Sequence, residues 1–503
     1  MFLTFTTLIS LVILLVAPII VFLLGKWNNH AAKWSAFGFT LIAAIFFALS
    51  LGDVLAFGEH KLEIPWLSFD ISATRSVAIT FSLISDNLSF PIAAIIFILG
   101  LAGIMYSFGY MKDEEKQGAY YALLVLYIAG MVGVVLAGDL IQFYIFWELM
   151  LIPSYFIIAK WGSKPNAVKI AFKYFIFTHV GAMAILIGIG GLWAYGSADG
   201  SFLISMLDLS SVSGTIVKIL SILFFLGFSV KMAIFPLHTW LPDTHGEAPT
   251  PISAILSGVM IETAAYGIMR IIQQVFPEGK ISWIKYVLVG LAVFTMIYGG
   301  IMALAQKDTK RLFAFSSISQ MGYIFFGLGT FTLFGSTGSA FHIISHALAK
   351  GSLFMVAGIL MTQVGHHKGR DIKSLGGLAY RMPITAIVAL IAAMSLSGLP
   401  PLSGFMSEWI IFSGGITEGN VLGIIAVFMA ILSTALTATY TLLFMKNVFL
   451  GPVREEFKDV KDPSPYMWAP LVVLAILSFV IGILPISVLK FVATWAAGVF
   501  PTT

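Results

Sequence analysis

The segment GTIVKILSILFFLGFSVKMAIFPLHTWLPD, residues 214–243, decides the fold. Its apolar part is long enough for a helix to cross the ~30 Å hydrocarbon core of a bilayer. Lys231 lies within it, and Pro236 and Pro242 remove backbone hydrogen-bond donors toward its end. The segment therefore predicts a membrane-spanning helix that is interrupted close to a charged side chain.

Apolar runs of this kind recur along the whole chain of 503 residues, of which 59% are hydrophobic and only 10% charged, with a mean hydropathy of +0.98. A soluble chain of this length needs more charge, so lipid is the expected solvent for most of its surface. The runs are continuously apolar rather than alternating, which favours helices over a β-barrel. We predict an all-α integral membrane protein, one polytopic domain over residues 1–503. Its fourteen predicted spans are approximately 3–24, 33–51, 84–108, 119–137, 140–160, 167–195, 214–240, 249–275, 286–305, 312–330, 338–364, 382–413, 421–445 and 467–490.

Basic residues are distributed unevenly between the connections. Of the 28 lysines and arginines, eighteen fall in odd-numbered connections or at the span ends that border them, four in even-numbered connections and six farther inside the spans. Cytoplasmic loops carry an excess of Lys and Arg. We therefore expect the odd connections in the cytoplasm and both termini outside it, in a cell (inner or cytoplasmic) membrane.

A second span is interrupted in the same way as the first. SLSGLPPLSGFMSE, residues 395–408, places Pro400 and Pro401 in the middle of the twelfth run. Spans seven and twelve are five apart, so they cross in opposite directions, which is typical of inverted repeats with ion sites at the breaks. We predict helices one to three at 1–110, a first five-helix repeat (spans 4–8) at 119–275, an inverted second repeat (spans 9–13) at 286–445 and a C-terminal helix at 467–503.

Two further features limit the chemistry and the surface. The chain has no cysteine, which excludes disulfides and cysteine-ligated metal or iron–sulfur centres. It also lacks a phosphate-binding glycine motif, a flavin site and a metal-ligand cluster, so we expect no cofactor and no redox centre in this chain. The longest connection, 52–83, has patches of alternating polarity that fit either an external β-hairpin or an ordered loop.

Five ionisable residues fall near the middle of predicted spans: Glu148, Lys231, Glu262, Lys350 and Glu408. An ionised side chain inside a bilayer is costly unless it is paired or hydrated, and such residues usually mark ion pathways. The alternative is that they form pairs that only hold helices together, or that the lysines reach the headgroups. A glutamate at mid-depth is too short to do so. We therefore predict that these five residues transfer protons.

His342, His346 and Lys350 form a stripe with a spacing of four residues. Each step of four returns to nearly the same face of a helix. A packing stripe would be Leu or Phe, so three titratable groups in this position favour a hydrated proton path. Lys173, two turns inside the sixth span, and His245 are predicted to support this path.

Glu148 and Lys231 are candidates for an ion pair that acts as a switch. A nearby carboxylate stabilises a protonated lysine, so moving the carboxylate toward or away from Lys231 would load or release a proton. His179, on a helix face of small residues, is predicted to pack or hydrogen-bond rather than to relay protons.

At these residues the chain resembles a known family. VKMAIFPLHTWLPDTHGEAPTP, residues 230–251, strongly resembles the signature of the antiporter-like subunits of respiratory complex I (NADH:quinone oxidoreductase), and FWELM, residues 146–150, looks like that family's fifth helix. Glu408 resembles the M-type member, since the other two large subunits usually carry Lys there. The sequence after span fourteen lacks the lateral helix of the L-type member. The segment 143–155 looks closest to archaeal versions, among them the M-type subunit of F420H2 dehydrogenase.

The resemblance implies a proton-translocating subunit of a redox-driven pump that passes electrons from NAD(P)H or F420H2 to quinone or methanophenazine. Flavin and iron–sulfur clusters would lie in partner subunits: a peripheral redox arm beside L-type, N-type and small membrane subunits. No nucleic acid is expected. Because the family also contains multisubunit sodium/proton antiporters and membrane-bound hydrogenases, a subunit of either is the alternative.

Two departures from the M-type pattern affect the expected route. Glu262 stands where that type usually has Lys, and the stripe of His342, His346 and Lys350 resembles the L-type pattern. The implied route enters from the cytoplasm near Lys231, crosses by Glu262 and Lys350 and leaves through Glu408. Glu262 between two lysines would keep the centre of this route weakly charged.

Overall fold

The computed structural model describes residues 5–72, 75–163, 165–197 and 199–500, with the side chain of Arg75 left out. These residues form a bundle of helices with one β-hairpin. The helices are α1 (Thr6–Trp27), α2 (Asn29–Ala48), α3 (Leu51–Phe57), α4 (Ser89–Tyr110), α5 (Gln117–Leu136), α6 (Leu140–Trp161), α7 (Ala167–Gly196), α8 (Gly214–Lys231), α9 (Leu241–Glu247), α10 (Thr250–Ile255), α11 (Thr263–Gly267), α12 (Glu278–Leu304), α13 (Thr309–Gly329), α14 (Leu333–Val364), α15 (Pro383–Leu396), α16 (Ser403–Thr417), α17 (Val421–Val448), α18 (Pro465–Ile483) and α19 (Ile486–Val499).

The membrane architecture agrees with the predicted spans. In the described part of the chain, 13 helical segments are long and apolar enough to cross a bilayer, the composite segment Thr250–Gln273 among them. The remaining predicted span, 382–413, consists of α15 and α16, which are separated at residues 397–402. Neither half is long enough alone, because a membrane-crossing helix needs about 20 residues. The prediction of a multi-span membrane protein whose spans are all helical is confirmed; the β-hairpin lies in a connection between spans.

The innermost helices carry several of the predicted titratable residues. Thr250–Gln273, α13 and α14 are buried over the whole of their apolar windows, whereas only a third of α17 and α18 is buried. Glu262 and the stripe from His342 to Lys350 therefore lie in the centre of the bundle, away from lipid.

Glu262 lies where the backbone departs from α-helical geometry. Two π-helical segments, Leu256–Met260 and Ile268–Gln273, flank it. The Ile261 N–H donates to the Leu256 carbonyl, five residues back, at 3.1 Å. Such π segments widen a helix and frequently occur at functional sites.

The connection before α4 forms a hairpin, one of the two alternatives that its polarity pattern allowed. Strands β1 (Glu59–Ser72) and β2 (Arg75–Asp86) pair in antiparallel fashion. At the end of β2, both carboxylate oxygens of Asp86 accept hydrogen bonds from Arg270, each at 2.7 Å. Burial alone would raise the pKa of Asp86, but the Arg270 guanidinium outweighs it and holds that pKa below its ordinary value. This buried pair ties the hairpin to the π segment beyond Glu262.

Both predicted helix interruptions are present. Residues 232–240, with Pro236 among them, separate α8 from α9, and residues 397–402, with Pro400 and Pro401, separate α15 from α16. At the first break the Trp240 indole N–H donates to the Val230 carbonyl at 2.9 Å, in addition to the Ala233 N–H at 3.2 Å, which anchors the segment after the break to the end of α8. That the two breaks relate inverted five-helix repeats, with the domain bounds given above, stays a prediction.

Candidate functional site

Lys231 is the last residue of α8 and is only 1% exposed. Its Nζ has no hydrogen-bond partner among the described residues and lies 5.3 Å from the centre of the Trp147 ring. Hydrogen-bond donors buried in this way are usually satisfied by water. The end of α8 can therefore hold a hydrated lysine.

Glu148 does not form an ion pair with Lys231 in the described structure. Its Oε2 lies 3.2 Å from Nδ1 of His179, and its Oε1 has no partner. The charge of Glu148 still acts on Lys231. His179, predicted to be a packing or hydrogen-bonding residue, therefore holds the carboxylate of the expected switch apart from its lysine.

Lys173 lies at the rim of the bundle rather than in its centre. Its Nζ donates to Asp243 Oδ2 at 2.8 Å and to the Thr239 carbonyl at 3.0 Å. The second oxygen of Asp243 accepts from Arg311 Nη2 at 2.7 Å. One carboxylate on α9 thus joins α7 and α13, next to the first break. Neither Asp243 nor Arg311 was predicted to belong to the site, because both stand beside the apolar runs rather than inside them.

His245 is fully buried on α9, and both of its ring nitrogens lack a partner among the described residues. Its ring stacks on Phe354, with the ring centres 4.6 Å apart. Lys310, only 1% exposed, donates from Nζ to the Ala248 carbonyl at 2.5 Å, and the charges of Lys310 and Lys350 both act on His245. Lys310 was counted with a connection in the sequence, because it stands at the very start of its helix.

A cavity of about 760 Å³ opens beside these residues, on the face that carries the odd-numbered connections. Charged and polar side chains dominate its wall, which gives water access to this end of the bundle. Those lining residues include Glu247, Lys307, Asp308, His366 and Arg370.

Glu262 and His346 are in direct contact at the centre of the bundle. Oε1 of Glu262 lies 2.5 Å from Nδ1 of His346, and both side chains are at most 1% exposed. Oε2 of Glu262 and Nε2 of His346 have no partner among the described residues. This contact is short enough for the pair to share a proton and titrate as one unit, and it leaves an unsatisfied atom on each side for exchange with further groups.

The stripe on α14 continues from His346 to His342, whose ring centres are 6.2 Å apart. Nδ1 of His342 lies 2.8 Å from Ser407 Oγ, and Nε2 lies 3.0 Å from Gln320 Oε1. The Ser407 hydroxyl donates to the Gly404 carbonyl, so both nitrogens face acceptors, as a protonated ring requires. If the Gln320 amide rotates by half a turn, its NH₂ group faces Nε2 of His342 and donates to that nitrogen, as the neutral ring requires. His342 can therefore be satisfied in either protonation state.

Lys350, at the other end of the stripe, is fully buried. Its Nζ donates to the Phe313 carbonyl at 2.9 Å and to the Ser316 hydroxyl. Within the described residues it pairs with no carboxylate. Neutral acceptors stabilise the protonated lysine less strongly than a carboxylate would. This suits a residue that must take up a proton and release it again.

Glu408 ends the row on α16 and is 3% exposed. Its Oε2 accepts from the Thr434 hydroxyl at 2.9 Å, which lies 3.1 Å from the hydroxyl of Tyr323. The Tyr323 ring stacks on His342 at 6.1 Å, and Ser407, the neighbour of Glu408 in sequence, contacts the same histidine. Glu408 therefore lies close to the stripe, but no hydrogen bond within the described residues joins its carboxylate to His342: one approach ends in ring stacking by Tyr323, and the other runs through the neighbouring Ser407.

The structure thus brings together four of the predicted residues and separates two others. Glu262, His346, His342 and Glu408 lie in one row, in which Glu262 and His346 are hydrogen-bonded and the two histidine rings stack, whereas Glu148 and Lys231 form no ion pair in the described structure. The hydroxyl and amide groups that join the row were missed in the sequence, since Ser, Thr, Tyr and Gln carry no charge that stands out in an apolar helix. They are Gln320, Tyr323, Ser407 and Thr434. No group of three or more His, Cys, Asp or Glu side chains in the described residues could hold a metal ion.

Comparisons with known proteins identify the family of the chain. A family model described as "NADH:quinone oxidoreductase/Mrp antiporter, TM" matches residues 137–434, and one described as "NADH-Ubiquinone oxidoreductase (complex I), chain 5 N-terminus" matches residues 71–121. F(420)H(2) dehydrogenase subunit M of Methanosarcina mazei is 30% identical over 493 residues, covering 95% of each chain.

Two further similarities extend across the family. One Na(+)/H(+) antiporter subunit of Alkalihalophilus pseudofirmus is 34% identical over 498 residues, covering 94% of this chain and 60% of that longer protein. In the structure of respiratory complex I from Thermus thermophilus with bound NADH, one chain has the same fold, with a TM-score of 0.83 and 24% identity over 99% of this chain and 98% of that one.

The chain belongs to the family of antiporter-like membrane subunits shared by NADH:quinone oxidoreductases and Mrp antiporters. Within that family it is a complex I-like subunit of the M type. The resemblance of the segment around Lys231 to this family is confirmed.

Proposed function

We propose that this chain carries protons across the membrane through the buried row of titratable side chains, as one subunit of a redox-driven, complex I-like pump. The observation that carries the proposal is the buried row from Glu262 to Glu408, in which a direct Glu262–His346 contact is followed by stacked histidine rings and by neighbouring hydroxyl groups. A packed helix interior has no structural need for charged residues in this position. Hydrogen-bonded and water-filled rows of this kind conduct protons between groups.

The proposed route begins on the cytoplasmic side. Protons enter from the face of the odd-numbered connections and reach Lys231 at the first break. They pass to the Glu262–His346 pair, which exchanges protons with Lys350 on one side of the stripe. From there they pass to His342 on the other side and leave through Glu408 to the outside. Lys173 and His245 support entry: Lys173 keeps Asp243 and α9 in place, and His245 offers two free ring nitrogens between Lys310 and Lys350.

The proposed switch is the position of the Glu148 carboxylate. When Glu148 leaves His179 and approaches Lys231, it stabilises the protonated lysine. When it returns to His179, Lys231 is left in an apolar site and releases its proton onward. Transfer between the two halves of the chain would follow each such step.

The energy for this switch would come from partner subunits. L-type, N-type and small membrane subunits would form a row with this chain, and a peripheral arm with flavin and iron–sulfur clusters would oxidise NAD(P)H or F420H2. The electrons would pass to quinone or methanophenazine in that arm, so this chain would hold no redox centre. Both termini would lie outside the cytoplasm, in the inner or cytoplasmic membrane.

The test is proton transport by the purified complex in proteoliposomes, with donor and acceptor supplied and the internal pH followed by a dye. We expect proton uptake into the vesicles that stops on replacing His342 and His346 with Ala, while the isolated peripheral arm still oxidises its donor. Unchanged proton-to-electron ratios in that double variant would contradict the proposal.

A sodium/proton antiporter subunit is the second candidate, favoured by the similarity to the Na(+)/H(+) antiporter protein of Alkalihalophilus pseudofirmus over 94% of this chain. Such a subunit would exchange sodium for protons without an electron donor. Sodium-22 uptake driven by an imposed pH difference, in vesicles given no redox substrate, separates the two candidates. A membrane-bound hydrogenase would instead require hydrogen or protons as the redox substrate of the partner arm.

A further inference from the structure

A groove of about 210 Å³ runs between α12 and α17 on the surface of the bundle. The helix faces beside it are exposed: Tyr286 is 58% exposed, Leu422 54% and Phe428 61%. This surface therefore faces lipid or a neighbouring helix rather than the core. Its apolar walls come from Val289, Val293, Leu422, Ile425, Ala426 and Met429.

Two glycines keep the groove open. A Cβ on Gly290 would meet no other atom within 4 Å, so no side chain fills the space beside α12 at this point. A Cβ on Gly423 would lie 2.5 Å from the Gly415 carbonyl and 3.2 Å from Oε2 of Glu418. The absence of a side chain at 423 lets the Glu418 carboxylate lie against the start of α17.

One end of the groove is polar. Lys285, Glu418 and Asn420 line it there. Lys285 forms an ion pair with Glu278, and its Nζ lies 5.5 Å from the centre of the Phe331 ring. These residues border the eighth and twelfth connections, which lie on the same face of the membrane. A charged rim above an apolar slot has the shape of a site for an amphiphile.

The charges of the rim discriminate between headgroups. One ammonium, on Lys285, stands against two carboxylates, on Glu278 and Glu418. Burial raises the pKa of Glu418, and the Asn420 side chain and Lys285 only partly offset this, so the carboxylate lacks full solvation. A headgroup that brings a hydrogen-bonding cation to Glu418 would relieve this deficit, whereas a headgroup with a net negative charge would be repelled.

We propose that this groove binds one phospholipid with a primary amine in its headgroup, such as phosphatidylethanolamine. One acyl chain lies in the slot between α12 and α17, the phosphate accepts a hydrogen bond from Lys285, and the ammonium donates to Glu418. A neighbouring transmembrane helix would fill the apolar slot with side chains, but it would match the charged rim only if a basic residue stood at its end. The lipid site is independent of the proton route.

The test uses the assembled complex in nanodiscs that contain a phosphatidylethanolamine with a diazirine in its acyl chain. After irradiation, mass spectrometry of the peptides should locate crosslinks within 285–293 and 421–429. Unlabelled phosphatidylethanolamine should compete about tenfold better than phosphatidylcholine, which offers no N–H donor, or phosphatidylglycerol, as expected for one hydrogen bond to a charged group.

Three variants make the outcome decisive. Gly290→Leu fills the slot and should remove the crosslinks, whereas Gly190→Leu, at an exposed site on α7 that is equally free of neighbours, should leave them unchanged. Glu418→Gln should keep the crosslinks but abolish the preference for the amine headgroup. Equal competition by all three lipids, or crosslinks that survive Gly290→Leu, would overturn the proposal, as would a partner subunit's peptide crosslinked across the groove in place of lipid.

Discussion

The two broken helices place charges of opposite sign at opposite kinds of helix end. At the first break, Lys231 is the last residue of α8, where the helix dipole is negative and favours a cation. At the second, Glu408 lies early in α16, near the positive end of that half-helix, which favours an anion. Each break therefore supplies a field that suits the charge beside it.

The two sites also differ in how firmly the charge is held. Nζ of Lys231 has no hydrogen-bond partner in the described structure, and the nearby carboxylate of Glu148 is engaged by His179. Glu408 accepts a hydrogen bond from Thr434 and lies against a glycine at the break. The comparison indicates a mobile entry site, at which the charge balance changes, and a fixed exit site, at which a prearranged network receives the proton.

The largest effect is expected at the entry site. Lys231→Met keeps the length of the side chain but removes the proton-carrying group, so proton transport should fall at least about tenfold, toward the ~10²-fold typical of a lost acid or base. Coupled electron transfer should slow with it, while the complex still assembles. Vesicle acidification and the rate of donor oxidation, measured on the same preparation, give both quantities.

Lys218→Met is the matched control for this variant. Lys218 lies on the same helix, but its side chain is exposed. Its replacement should leave proton transport near that of the wild type. Normal proton-to-electron ratios for Lys231→Met would remove the entry site from the proposed route.

A slightly smaller effect is expected at the exit site. Glu408→Gln preserves the shape and the Thr434 contact but cannot ionise, so proton transport should fall about tenfold. Glu408→Asp keeps a carboxylate that is one methylene too short and should retain part of the activity. The same acidification assay applies, with Glu455→Gln, whose side chain is 84% exposed, as the control. If the Gln variant transported protons at the wild-type rate, Glu408 would be structural only.

The sequence predicted the charged residues of this path but not its contacts. Composition and apolar runs were sufficient for the spans, and two prolines close together beside a charged residue predicted both breaks. A single proline was not enough, since Pro18 and Pro153 lie within unbroken helices. The contact between Glu262 and His346, in contrast, depends on the rotation of two helices and on a π segment that has no clear sequence signal. The pairing of Glu148 with His179 instead of Lys231 likewise depends on helix packing, which spacing within one helix does not reveal.

The centre of the path tests whether the two halves exchange protons through one unit. If Glu262 and His346 act together, Glu262→Gln and His346→Gln should each reduce proton transport severalfold, and the double variant should lose little more than either single one. In the alternative view, Glu262 only compensates nearby positive charge, and the histidines with water carry the proton. Glu262→Gln would then retain most of the proton transport. Proton transport by all three variants in one reconstituted system decides between these views.

Glu262→Lys sharpens this test, because the M type usually has Lys at this position. The residue fits the helix, but with His346 and Lys350 nearby it adds a positive charge and removes the acceptor that His346 now has. We expect low transport in Glu262→Lys and partial recovery when His346→Gln is added. Equal transport with and without the second change would show that His346 does not set the preference for a carboxylate.

The smallest effect is expected from the backbone that supports the exit site. Gly398 has a φ of +62°, a conformation that costs a residue with a side chain about 1 kcal/mol. A Cβ there would also lie 2.6 Å from Oε2 of Glu408, closer than any normal contact, so the carboxylate would have to leave Thr434.

Gly419 is the matched control, with a φ of +72°. A Cβ added to Gly419 would have no atom closer than 4.0 Å, so Gly419→Ala carries only the backbone cost. Gly398→Ala should therefore lower proton transport about twofold to threefold, as expected for the loss of roughly 0.5 kcal/mol of favourable positioning, whereas Gly419→Ala should only lower the melting temperature of the complex slightly. Matching transport rates in the two variants would show that the position of the Glu408 carboxylate does not limit proton exit.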